Sequence, residues 1–152
     1  MPELKSEYLL TYTVGVSQLH DVGQVPLGLR HIDMLGPGSF EGPRLRGDVL
    51  AGGIDQKIFR ADGAMNPDVR MVLKTDDGAL IYMTYSGVRY GTPEIMRRIA
   101  DGEQVDSSEY YLRNTPRFET ADPRYDWLNR VVAVGIGRRM PDHAAYDVFE
   151  IL

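Results

Sequence analysis

The chain has 152 residues, a formal net charge of -5 at pH 7, and no cysteine. This length predicts a single domain over residues 1–152, and the acidic charge argues against a nucleic-acid partner, because phosphate recognition concentrates lysine and arginine. Without cysteine there is no disulfide or thiolate chemistry, and without an apolar run of roughly 18 residues no membrane partner is expected, so we predict a cytoplasmic protein.

Alternation of apolar and polar residues with a period of two dominates the N-terminal half and predicts β-strands. Three segments show it: residues 8–16, 44–51 and 56–60. The glycine pair Gly52 and Gly53 separates the last two segments and favours a bulge or a sharp bend. Residues 18–40 lack clean periodicity and are predicted to form a loop, as are residues 114–125.

The clearest hairpin surrounds Asp77 and Gly78. An Asp-Gly pair suits a two-residue type I′ turn, and we predict that turn here. Counting outward from it places Arg70 opposite Tyr85, with Tyr82 on the same arm as Tyr85. These three residues are candidate ligand-binding groups if their face looks into the protein, and solvated cross-strand contacts if it looks outward.

One helix is predicted, with Thr92 as its N-cap, Pro93 in its first turn and Gly102 near its end. After it, residues 130–138 and 146–152 form a second pair of strands, joined by a turn at residues 140–142. The helix is short, and strands make up most of the predicted structure.

Eight or so short antiparallel strands with one short helix favour a barrel or a sandwich, because both architectures remove exposed strand edges. We predict an all-β protein, a small antiparallel β-barrel, because a strongly coiled small sheet uses glycines inside strands at its corners. Four glycines lie inside predicted strands: Gly47, Gly87, Gly135 and Gly137.

A family resemblance is carried by three phrases: RLRGDVLAGG from Arg44, TDDGALIYMTYSGVRYG from Thr75, and YYLRNTPRFETADPRYDWLNR from Tyr110. From about Leu10 onward, the chain resembles the bacterial and fungal family known as domain of unknown function 3237. The resemblance implies a small lipocalin-like β-barrel and no single activity for all members. It also implies self-association, so a homo-oligomer is expected.

Residues 110–119 mix aromatic, basic, acidic and hydroxyl side chains around Pro116, a combination typical of a pocket lining. Arg113 can hold an anionic oxygen, and Glu119 can move a proton if a pocket raises its pKa. Alternatively, both side chains pair with neighbours in a buried turn. Asp55, which follows the glycine pair, is a further candidate acid or base, or an ordinary turn residue.

Aromatic and hydroxyl side chains in and after this segment are the predicted pocket walls: Tyr111, Thr115, Phe118 and Trp127. Tyr111 and Trp127 stack against a flat ligand, or these large aromatic residues are simple core residues. The three histidines show no metal-ligand spacing, and no nucleotide-binding fingerprint opens a helix, so neither a metal nor a cofactor is predicted.

Two functions remain open. The first is a cofactor-independent enzyme that acts on a small carbonyl-bearing or phenolic metabolite, in which Arg113 holds an anion and Glu119 or Asp55 transfers a proton. The reaction would be an isomerisation, a dehydration or a cyclisation. The alternative is a barrel that binds or carries a small molecule without turnover. In both cases the expected partner is a small molecule.

Overall fold

Eleven β-strands and one α-helix make up the computed structural model, which describes all 152 residues. The strands are β1 Ser6–Val25, β2 Gly28–Glu41, β3 Arg46–Val49, β4 Gly53–Phe59, β5 Met65–Asn66, β6 Asp68–Thr75, β7 Leu80–Tyr90, β8 Tyr111–Asn114, β9 Arg117–Glu119, β10 Ala133–Arg139 and β11 His143–Ile151. The helix α1 spans Pro93–Ala100, and short 3₁₀ helices follow at Ser107–Glu109 and Asp126–Arg130.

The sheet closes on itself through antiparallel pairs. The ring runs β6–β3–β2–β1–β11–β10–β8–β7, and β7 then pairs with β6 again. The strands β4 and β5 continue the wall beside β2, β6 and β7, and β9 pairs with β7. Closure leaves few strand edges exposed. The predicted small antiparallel β-barrel with one short helix is therefore confirmed.

The glycines inside strands lie where neighbouring groups approach closely, as predicted for the corners of a coiled sheet. At Gly47 and Gly87, an added Cβ would meet a backbone oxygen of the adjacent strand. At Gly135 and Gly137, it would meet a side chain of a neighbouring strand. Only hydrogen fits at these positions, so the glycines permit the tight curvature that closes the barrel.

The long β1–β2 hairpin shows that the predicted loop over residues 18–40 is wrong. The two strands pair throughout this region and reverse at Pro26 and Leu27. Residues 17–22 are all exposed, so both faces of this part of β1 contact solvent. Because neither face is buried, the sequence has no reason to alternate there, and the usual strand signal is missing. The predicted loop over residues 114–125 likewise contains the short strand β9.

The β6–β7 hairpin is present, but its turn has one residue more than predicted. The Thr75 N–H donates to the Ala79 carbonyl at 2.9 Å, which leaves residues 76–78 in the loop. Only Gly78 of these has a positive φ, at 93°, whereas a type I′ turn requires positive φ at both central residues. The loop is therefore a three-residue connection with glycine in the left-handed position.

This extra loop residue shifts every cross-strand pair of the hairpin by one position. Arg70 lies opposite Thr84, so the predicted pairing of Arg70 with Tyr85 is wrong. Tyr85 is buried inside the barrel, whereas Arg70 and Tyr82 are exposed on its outer face. A change of one residue in register moves a side chain to the opposite face of a strand.

The helix α1 follows the predicted signals. The Thr92 hydroxyl caps its N-terminus by accepting a hydrogen bond from the Ile95 N–H at 3.3 Å, and Pro93 is its first residue. The helix contributes Ile99 to the core. No helix in the structure has the length and apolar character needed to cross a membrane.

Candidate functional site

Charged and phenolic side chains surround a small cavity of about 40 Å³ in the barrel interior. Side chains two positions apart on a strand share a face, so a few strands deliver several groups to the same space. We call the following group the interior site: Asp33 of β2, Asp55 and Lys57 of β4, Tyr85 and Arg89 of β7, Arg139 of β10, and Tyr146 of β11. Apolar side chains complete the lining.

A buried ion pair joins Asp33 to Lys57 in this site. The Lys57 Nζ lies 2.6 Å from the Asp33 Oδ2, and the Asp33 side chain is 1% exposed. No hydrogen bond of good geometry reaches either Asp33 oxygen, so the two groups are held together by charge. A buried carboxylate needs such a partner, because taking an unpaired charge out of water is costly.

Asp55 lies directly opposite Asp33 on the neighbouring strand, and its side chain is nearly buried. Burial raises the pKa of the Asp55 carboxyl to about 6, although the Lys57 charge and a hydrogen bond from the Asp68 N–H, at 3.0 Å, favour the carboxylate. The negative charge of Asp33 adds to the increase in pKa. A carboxyl with this pKa gives and takes protons near neutral pH.

Three tyrosine rings pack against one another beside these carboxyls. The Tyr12 and Tyr146 rings are stacked with centroids 5.2 Å apart, and Tyr85 lies 5.5 Å from Tyr146 and 6.0 Å from Tyr12. Burial raises the pKa of all three hydroxyls above the ordinary value for tyrosine. At neutral pH the hydroxyls of Tyr85 and Tyr146 are therefore O–H groups able to donate a hydrogen bond to a ligand.

Two arginines bring positive charge to the site. The Arg89 side chain is 4% exposed, and its Nε has no hydrogen-bond partner. Neither Arg89 nor Arg139 forms an ion pair within 4.0 Å. Burial, together with the like charge of Arg139, lowers the pKa of the Arg89 guanidinium from its usual value.

A larger groove of about 670 Å³ runs along the outer surface of β1, β2 and β3. Its charged side chains are those of Glu41, Arg46 and Asp76, and all three are exposed to solvent. Functional acids and bases are commonly found where burial shifts their pKa, as it does for Asp55. The interior site is therefore the better candidate despite its smaller volume.

Of the residues predicted from the sequence, Asp55 and Tyr85 lie in the interior site. Arg113 and Glu119 lie on the outer face, because the neighbouring Leu112 and Phe118 take the inward positions of β8 and β9. The structure does not bring the two together, since they lie opposite positions 88 and 82 of β7. Arg113 donates to the Leu112 carbonyl at 2.9 Å and lies over the Tyr111 ring.

Tyr111 and Thr115 line a surface pocket of about 350 Å³ together with Arg113, whereas the other predicted pocket residues are distributed over the surface and the core. Phe118 is buried in the hydrophobic core, and Trp127 packs under the Arg44 guanidinium, which lies 3.8 Å from the ring centroid. The remaining four are exposed: Arg70, Tyr82, Tyr111 and Thr115.

Sequence reasoning missed most of the charged groups of the interior site. Lys57 lies two residues after Asp55, so a strict period of two from Asp55 would have found it. Arg89 follows Tyr85 by four positions and shares its face for the same reason. Asp33 lies in the segment predicted as a loop, where no pattern marked an inward face.

Comparison with known proteins assigns the chain to a family. The family model described as "Protein of unknown function (DUF3237)" matches residues 4–151. The chain belongs to this family. A DUF3237 relative, a UPF0311 protein of Rhodopseudomonas palustris, is 34% identical over 151 residues, which is 99% of each chain. Its crystal structure covers 100% of both chains with a TM-score of 0.96.

Two further comparisons add to these likenesses. A crystal structure described as a beta-barrel like protein, from Acinetobacter baumannii, shares 36% identity and a TM-score of 0.87, covering 100% of this chain and 98% of that one. A protein of Penicillium herquei named "Hydroalkoxylation enzyme" is 26% identical over 134 residues, which is 88% of this chain and 73% of the relative. An enzyme is thus among the proteins that this DUF3237 chain resembles.

Proposed function

We propose that the protein is an enzyme that transfers protons on a small carbonyl-bearing or phenolic molecule without a cofactor, and that Asp55 carries the proton. The observation that supports this proposal is the Asp55 carboxyl, which lines an interior cavity and has a pKa of about 6. Near neutral pH, both its forms are accessible, so one residue acts as base and then as acid.

The groups around Asp55 suit a reaction in which negative charge develops on oxygen. The carboxylate form of Asp55 removes a proton from an acidic C–H or O–H of the substrate. The hydroxyls of Tyr85 and Tyr146 donate hydrogen bonds to the resulting enolate or phenolate oxygen. Protonated Asp55 then returns the proton to a different atom. Isomerisation, dehydration and cyclisation can each proceed through these two transfers.

The Asp33–Lys57 pair has a supporting role in this proposal. Asp33 places a negative charge beside Asp55, at a cross-strand separation of roughly 4.5–5.5 Å between Cβ atoms. That charge raises the pKa of the Asp55 carboxyl, and Lys57 lowers it. The two charges on adjacent strands therefore shift the pKa of Asp55 in opposite directions, while burial is the main cause of its increase.

The name of the Penicillium herquei relative supports the same class of chemistry. A hydroalkoxylation adds an O–H group across a carbon–carbon double bond. A proton leaves the oxygen, the oxygen bonds to one carbon, and the other carbon gains a proton. No electrons enter or leave the substrate, so one group that accepts and returns a proton is sufficient, which is the role proposed for Asp55.

The dimensions of the cavity limit what enters it. At about 40 Å³, it accommodates the reacting end of a substrate rather than a whole metabolite. Four lining residues are only half buried and mark the opening: Val16, Lys57, Arg139 and Ala144. We propose that the rest of the substrate extends through this opening.

Proton transfer is best tested by hydrogen exchange with the solvent, because that assay does not require the natural substrate. A panel of cyclic ketones and alkenyl phenols is incubated with the protein in D₂O, and deuterium incorporation is followed by NMR. We expect Asp55→Asn to lower the exchange rate by about 10²–10⁴-fold, the usual contribution of a general acid or base. In the parent protein, the rate should rise as pH increases through about 6, because Asp55 then becomes the carboxylate.

Asp48→Asn is the matched control, because Asp48 is an exposed carboxylate in strand β3. Its exchange rate should equal that of the parent. Undiminished exchange in Asp55→Asn would remove Asp55 from the mechanism. Binding of panel members without any exchange in the parent would instead favour a carrier barrel.

A further inference from the structure

We infer that the interior site binds a small organic anion, a carboxylate or a phenolate, whose charged oxygen is held by Arg89 and Arg139. The inference rests on the proposed function and deepens it by naming the class of substrate. The subsite faces the same cavity as Asp55 and the tyrosine hydroxyls. An anion held there lies next to Asp55, the group proposed to transfer protons.

The charges of the interior site do not cancel without such a ligand. Asp33 and Lys57 neutralise each other across 2.6 Å. Asp55 then contributes at most one negative charge, against the two positive charges of Arg89 and Arg139. The excess is positive, inside a chain whose net charge is -5. Arg139 is half buried at the opening, so the group that most needs a partner is Arg89, which is buried and whose Nε has no hydrogen-bond partner.

The Arg89 guanidinium also has donors that the protein does not use. Its side chain is almost completely buried, and its Nε donates to no protein atom. A guanidinium presents five N–H donors in a planar fork, which matches a carboxylate well. Arg113 is different, because it donates to the Leu112 carbonyl and lies over the Tyr111 ring. The anion-binding role predicted for Arg113 therefore fits Arg89 better.

The fold explains why Arg89 stays in the site although burying its charge is unfavourable for stability. Strand β7 places Tyr85 and Arg89 on the same inward face, and Arg89 pairs with Leu112 of β8 in the closed wall. On this face the Arg89 side chain is only 4% exposed. Binding sites commonly retain a group that is unfavourable for stability because it serves recognition.

Thermal unfolding at constant ionic strength tests the inference directly. The probes are sodium acetate and sodium benzoate, with acetamide and benzamide as neutral molecules of the same shape and sodium chloride as the salt control. We expect the anions to raise the melting temperature of the parent more than the amides or chloride do, because a ligand stabilises the state that binds it. Equal shifts with anions and amides would overturn the inference.

Arg89→Met should lose this anion-dependent shift, and Arg139→Met should weaken it. Arg117→Met is the matched control, because Arg117 is exposed on β9 outside the barrel, and it should behave like the parent. An unchanged anion shift in both Arg89→Met and Arg139→Met would disprove the assignment. Arg139 is only half buried, so its variant remains informative if Arg89→Met fails to fold.

The melting temperature of Arg89→Met without a ligand is an independent test of this inference. Arg89→Met should melt higher than the parent by about 2–4 °C, because the substitution removes a buried charge that has no partner. A lower melting temperature would mean that the guanidinium serves the fold rather than a ligand.

Asp55→Asn separates this inference from the proposed function. It should bind acetate at least as tightly as the parent, because it removes a negative charge beside the anion. If Asp55→Asn retains both acetate binding and proton exchange, the proposed function fails while the anion site stands. If the parent shows no preference for anions over amides but still exchanges protons through Asp55, the anion site fails while the proposed function stands.

Discussion

Replacing Gly47 with alanine is expected to destabilise the barrel by about 3 kcal/mol, at the upper end of the usual cost of overpacking. The added Cβ would meet the Lys74 carbonyl oxygen of β6, and the Thr75 Cα would lie at 2.8 Å. These are backbone atoms of a strand paired with both β3 and β7, so they cannot rotate away. The melting temperature should fall by roughly 6–12 °C.

Gly15→Ala is the matched control for Gly47→Ala. Gly15 also lies in a strand without a positive φ, and an added Cβ would have its nearest neighbour, the Asp142 carbonyl oxygen, at 3.5 Å. This is ordinary van der Waals contact, so its stability should change by less than about 1 kcal/mol, in the stabilising direction. Similar melting temperatures for the two variants would show that β3 and β6 separate easily at this corner.

Asp55→Asn is expected to stabilise the folded protein at neutral pH by about 2–3 kcal/mol and to have little effect below pH 4. The pKa of Asp55 is raised from 3.8 to about 6 on folding. The folded state therefore binds a proton more tightly than the unfolded chain, and stability is lost as pH rises between these two values. Asparagine removes the ionisation and keeps an oxygen that can accept the hydrogen bond from the Asp68 N–H.

Denaturant unfolding of the parent and of Asp55→Asn between pH 4 and pH 8 measures this difference. The two stability curves should coincide at the acidic end and separate up to about pH 6–7. Asp48→Asn should follow the parent at every pH, because Asp48 is exposed to solvent. A constant difference between the parent and Asp55→Asn across this range would mean that ionisation of Asp55 does not govern its effect on stability.

The architecture was predictable because the barrel imposes repeated local signals. Alternating faces mark the strands whose inner side is buried, and glycines such as Gly47 and Gly137 mark close approaches. The capped helix after Thr92 depends only on local chemistry. The exposed end of the β1–β2 hairpin escaped detection because burial, which creates the alternation, is absent there.

The site was much less predictable, because its composition depends on register. One additional residue in the loop at residues 76–78 turns Arg70 outward and leaves Tyr85 inward. In β8 the same alternation puts Arg113 outside the barrel. Asp55 was identified as a candidate through the glycines before it, whereas the burial that raises its pKa arises from strands distant in sequence.

The position of Trp127 determines which optical signal can report on the interior. It is the single tryptophan of the chain, and it packs beneath Arg44 rather than lining the cavity. Tryptophan emission will therefore follow the integrity of the surface around Arg44 and stay silent when a ligand enters the barrel. The stacked rings of Tyr12, Tyr85 and Tyr146 are the natural chromophores for the interior, through near-ultraviolet circular dichroism.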